Sequence, residues 1–145
     1  MNLLDENFPA DQAALLREAR VPYRQIGRHL SYLGVQDPDV IPLLHRLRRV
    51  TLFTQDEDFF KQKLSHPAYC LVWLDTKPAE TPFYFRRFLR HTEFNTQAKR
   101  MGAVARASRD GVYFWRGGTK TLRPLAEVIG VDLRAAACLL VLTQA

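Results

Sequence analysis

Val50-Thr51-Leu52-Phe53-Thr54-Gln55-Asp56-Glu57-Asp58-Phe59 joins an apolar run to three acids in a row, and that junction decides how the chain folds. Val50 to Phe53 has the length and the β-branched and aromatic content of a buried strand. A similar junction opens the chain, where Met1 to Leu4 gives way to Asp5-Glu6. A third acidic pair, Asp37 and Asp39, precedes an apolar helix pattern. Parallel α/β sheets bind ligands in the crevice beyond their strand C-termini, so acids just past strands are placed to share one site. Oxygen ligands of this kind suit Mg²⁺ or Mn²⁺.

On both sides of that junction, strand and helix patterns alternate. Asn2 to Leu4 reads as a short buried strand, followed by a helix with Pro9 at its first position and Ala13, Leu15, Leu16 and Ala19 facing inward. Tyr23 to Arg28 predicts a second strand, and Asp37-Pro38-Asp39 a helix start whose apolar face is Ile41, Leu43, Leu44 and Leu47, with Pro42 tolerable only near the first turn. Phe59 to Leu64 predicts a short helix and Tyr69 to Leu74 a fourth strand. The alternation predicts an α/β fold with a mainly parallel sheet covered by helices. Thr81 to Thr92 reads as an amphipathic basic helix. Ala103 to Ser108 and Val112 to Arg116 flank the turn signal Asp110-Gly111, predicting a C-terminal antiparallel hairpin. Leu122 to Ile129 predicts a last helix ending at Gly130. Residues 1–130 are expected to form one domain, with 131–145 an apolar C-terminal extension that docks on it or on a partner.

A chain of 145 residues suits a single core. Its 21 Lys and Arg against 15 Asp and Glu give a net charge of +6, which favours a polyanionic partner. Cys70 and Cys138 both lie in apolar runs, so neither a disulfide framework nor a zinc site is expected. No secretory pattern opens the sequence, which leads to the expectation of a cytoplasmic protein. The apolar run Ala135 to Leu142 is far shorter than the roughly 20 residues of a membrane span, so no membrane partner is expected. His29, His45, His66 and His91 lack metal-ligand spacing, and Ser31, Ser65 and Ser108 lack a nucleophile-elbow context. Triad and P-loop chemistry are set aside.

Leu3-Leu4-Asp5-Glu6-Asn7-Phe8-Pro9, then Asp37-x-Asp39-x-Ile41, then Thr54-x-Asp56-x-Asp58-Phe59 resemble, in order and spacing, the short PIN-like domain family. These are predicted toxin nucleases related to the PIN ribonucleases of toxin–antitoxin pairs. The resemblance covers about residues 1 to 75. It implies a Rossmannoid α/β/α sandwich, acids that hold Mg or Mn for phosphodiester hydrolysis, RNA as substrate and an antitoxin protein as partner. Carried over by position, it implies catalytic roles for Asp5, Asp37, Asp56 and Asp58, and metal contacts from Asp5, Glu6, Asp39, Asp56 and Asp58. Asp5 and Asp56 are the expected inner ligands, and which of Asp37 and Asp39 faces the metal stays open.

Each acid also has a plainer reading. Asp37 is a good helix N-cap, Asp39 complements a helix dipole, and Asp56 or Asp58 can cap the short helix through Phe59. Arg86, Arg87 and Arg90 on the basic helix, and Arg46, Arg48 and Arg49 near the middle acidic motif, are the expected nucleic-acid contacts, although an amphipathic helix with a solvated arginine face is the commoner reading of the first three. Two functions stand side by side. One is a metal-dependent ribonuclease, the toxin of a toxin–antitoxin pair. The other is a catalytically weak PIN-like scaffold that binds RNA or protein. The apolar tail points to a homodimer.

Overall fold

The computed structural model describes residues 1–27, 37–117 and 123–124. Among these residues seven strands form one sheet: β1 (Asn2–Leu4), β2 (Arg24–Gln25), β3 (Val50–Thr54), β4 (Tyr69–Asp75), β5 (Ala103–Ser108), β6 (Gly111–Arg116) and β7 (Arg123–Pro124). Their spatial order is β2-β1-β3-β4-β5-β6-β7. The first five are mutually parallel, and β6 and β7 run antiparallel at the C-terminal edge. The α/β fold with a mostly parallel sheet and a C-terminal antiparallel pair is the one the alternating patterns predict.

Strict alternation along the strands divides the core in two. Leu4, Phe53, Cys70, Val72 and Leu74 face α1 (Ala10–Glu18) and α3 (Thr81–Arg90), whose Ala13, Leu16, Phe85 and Phe88 complete that layer. Leu3, Val50, Leu52, Tyr69 and Leu71 face the other way, against Val40, Leu43 and Leu44 of α2 (Asp37–Leu47) and Phe59. An aromatic ladder runs through the first layer. Phe53 stacks on Phe85 at 3.8 Å between centroids, Phe88 on Phe94 at 4.5 Å, and Phe94 meets Phe114 edge-on at 5.2 Å. Fully buried rings of this size each stabilise the fold by about 1.5–3 kcal/mol. Arg100, in the short α4 (Gln97–Arg100), is buried too, where its Nε donates to Thr51 Oγ1 and its Nη1 to the Phe94 carbonyl.

Several boundaries differ from the sequence expectations. Pro9 sits at the N-cap of α1 rather than inside it, and Leu15 points to solvent while Gln12 takes the buried position. The second strand contracts to Arg24–Gln25. Pro42 lies in the second turn of α2, where its ring removes one helix hydrogen bond. Phe59 to Leu64 is two separate 3₁₀ turns, Glu57–Phe59 and Gln62–Leu64. The hairpin turn falls on Arg109-Asp110, because Gly111 already pairs with Ser108. Arg123 and Pro124, expected in a helix, pair as a strand with Phe114 and Tyr113. The rest of Leu122 to Ile129, Cys138 and the extension 131–145 lie outside the described residues.

Candidate active site

After β1 the chain turns to one side to lay down β2, then crosses to the other side for β3. The strand order therefore reverses between β1 and β3, and a crevice opens above the C-termini of these two strands. Asp5 follows β1 directly, and Gln55 and Asp56 follow β3. The Asp5 amide extends the ladder by one bond, donating to the Phe53 carbonyl at 3.1 Å.

One hydroxyl ties the two loops together. Thr54 Oγ1 donates its proton to Asp5 Oδ2 at 2.9 Å and accepts from the Asp56 amide at 3.0 Å. Asp56 Oδ1 in turn accepts from the Asp58 amide at 2.9 Å, capping the 3₁₀ turn Glu57–Phe59. Asp5 is only 6% exposed, Asp56 is half-buried, and Asp58 is open to solvent. The crevice thus holds one deep carboxylate, one at its rim and one outside.

Buried amides hold the loop around Asp5. Gln25 Nε2 donates to the carbonyls of Asp5 and Phe8, each at 3.2 Å, and the Phe8 amide closes the turn onto the Asp5 carbonyl. On the other side Gln55 Nε2 donates to Gln12 Oε1 on α1, while the Gln55 carbonyl accepts from Trp73 Nε1 at 3.2 Å. Neither Gln12 nor Gln25 stood out in the sequence. The signal for Gln12 was a polar residue four positions before Leu16, on the inner stripe of α1.

The other expected site residues are dispersed. Glu6 is half-buried in the turn after Asp5. Asp37 opens α2, and Asp39 is exposed in its first turn, with no hydrogen bond to Asp5, Asp56 or Asp58 among the described residues. Among the described residues no group of three or more His, Cys, Asp or Glu side chains is arranged to hold a metal ion. Asp75, which ends β4, is paired with Arg106 at 2.6 Å, and that guanidinium lies 5.2 Å from the Trp73 ring centroid. Arg46, Arg48 and Arg49 lie where α2 leads into β3, so the length of β3, about 16 Å, separates them from the acids. Arg86, Arg87 and Arg90 line a groove on α3. No helix among the described residues is long and apolar enough to cross a membrane.

No family model, curated protein or solved structure matches the chain.

Proposed function

We propose that the chain is a PIN-like metal-dependent ribonuclease that hydrolyses phosphodiester bonds at the β1–β3 crevice, acting as the toxin of a toxin–antitoxin pair. The observation that carries this reading is the Thr54 hydroxyl, which couples the Asp5 carboxylate to the Asp56 loop where the strand order reverses. The donors are all oxygen, which fits Mg²⁺ or Mn²⁺, and Mg²⁺ needs only one or two protein carboxylates because water completes its shell. Asp5 and Asp56 are the residues that would hold the ion. When bound, it would polarise the phosphate and lower the pKa of a water.

The chain's own contribution is positional. The bond from Thr54 fixes the rotamer of Asp5, and Gln25 fixes the loop that carries it. Asp58, exposed outside the crevice, would orient a water at its mouth, and Asn7 is exposed in the turn beside Asp5. The net charge of +6 favours approach of a polyanion from any side.

Substitution at the two inner acids is the test. Asp5→Asn and Asp56→Asn each remove one charge at nearly constant volume. Each variant should lose Mn²⁺-dependent cleavage of a labelled RNA by at least about 100-fold, on the scale of lost electrostatic catalysis, while its thermal midpoint stays near that of the unsubstituted chain. Undiminished cleavage in either variant would exclude the crevice as the site.

A further inference from the structure

We infer that the groove along α3 is a docking track for single-stranded RNA, an inference that rests on the ribonuclease reading and concerns a surface separate from the acids. The groove has a volume of about 410 Å³ and is lined by Phe83, Arg86, Arg87, Arg90, His91 and Thr92. Helical spacing produces it. Phe83, Arg86, Arg87 and Arg90 stand at i, i+3, i+4 and i+7, so they share one face, while Phe85 and Phe88 point into the core.

Among the described residues the charge of this face is unmatched: none of the acids lines the groove, and none of its three guanidinium groups is ion-paired, whereas Arg106 and Arg116 pair with Asp75 and Glu93. Phe83 is 62% exposed, the most exposed large apolar side chain among the described residues. An aromatic ring beside a row of guanidinium groups is the combination that binds single strands, with phosphates on the arginines and a base on the ring. The ring needs an unpaired base, which disfavours a duplex. A membrane surface would need a continuous apolar face, and the other exposed large hydrophobic among the described residues, Leu15, is on α1.

Connectivity orients the track. The first turn of α3 follows the C-terminal end of β4, so Phe83 lies toward the strand C-terminal end of the sheet, the end that Asp5 and Asp56 follow, and Arg90 lies toward the strand N-terminal end. α3 and α1 are on the same side of the sheet. A strand bound along the arginines therefore leads past Phe83 toward the start of α1 and the crevice.

The test is binding of a fluorescein-labelled oligouridylate in EDTA, where no metal-dependent cleavage occurs, across a series of salt concentrations. Replacing Arg86, Arg87 and Arg90 together by Gln should flatten the slope of log K against log salt by about 2, three phosphates at about 0.7 each for a single strand. Replacing the same three by Lys should keep the slope. Phe83→Ala should weaken binding about ten-fold and leave the slope unchanged, since stacking carries no counterion release. Equal binding by the Gln variant and the unsubstituted chain overturns the track, as does a Phe83→Ala variant with full affinity, or equal binding of polyglutamate in place of RNA. Asp5→Asn keeps the two readings apart. It should retain EDTA binding while losing cleavage, so a failed track leaves the crevice standing and a failed crevice leaves the track standing.

Discussion

Thr54 has one proton to donate and uses it on Asp5, and its oxygen accepts from the Asp56 amide. Valine has nearly the same shape and can do neither. Thr54→Val takes a donor from a buried carboxylate and the acceptor from the Asp56 N–H, a change on the order of 1–3 kcal/mol. Urea denaturation should show a loss in that range, and RNA cleavage should fall at least about ten-fold, as a misplaced ligand implies. Thr54→Ser, which keeps the hydroxyl, should recover most of both. A Val variant with full stability and full activity would remove Thr54 from the site. The importance of this residue was partly legible, because Thr54 stands two positions before Asp56 where a strand ends. Gln12 and Gln25 were not: Gln25 satisfies backbone carbonyls of a tight turn and Gln12 accepts from the Gln55 side chain, and until those partners are folded together each has the composition of any surface glutamine.

α1 ends in a closed turn that has an arginine where glycine is usual. The Val21 amide donates to the Leu16 carbonyl and the Arg20 amide to the Arg17 carbonyl, the paired bonds of a Schellman motif. Arg20 takes the left-handed position, at φ 58°. A side chain there costs about 1 kcal/mol, and glycine returns part of that gain through its freer unfolded chain. Arg20→Gly should therefore raise stability by about 0.5 kcal/mol and Arg20→Val should lower it by about 1 kcal/mol, read as shifts in the chemical denaturation midpoint. Elements with a clean signal were legible: β3 and β4 fell on their apolar runs, the hairpin strands on either side of their turn, and α3 on its helical spacing. β2 and the 3₁₀ turns were blurred for a physical reason. Two residues are too few to show a period, and a 3₁₀ turn around Phe59 buries one ring without building a stripe. The acids after β1 and β3 were legible as strand-end residues, whereas their closeness depends on β1 and β3 becoming neighbours, which only the crossover determines.

The whole molecule should lose stability in alkali through a group in its interior. Cys70 is a free, buried thiol whose pKa is raised from 9.0 to about 12 by burial, against the weaker opposing pull of Arg100 and Arg116. The unfolded thiol ionises above about pH 9 while the folded one keeps its proton. The native state then binds more protons, so stability falls as pH rises from about 9 toward 12. The effect should reach roughly 1.4 kcal/mol per pH unit once the unfolded thiol is fully ionised. Denaturation curves at pH 8 and pH 10 should diverge by about 1 kcal/mol more for the unsubstituted chain than for Cys70→Ala, and parallel losses in the two proteins would place the sensitivity elsewhere.

The two outer strands of the sheet also bear on how the protein behaves at high concentration. β2 and β7 are each two residues long, each includes an arginine, and β7 ends in Pro124, which has no N–H to offer a newcomer. Rims this short give an incoming strand little to register against, and the proline in β7 withholds a ladder hydrogen bond. At those two rims the sheet resists extension of its ladder, which is the route by which strands grow into fibres.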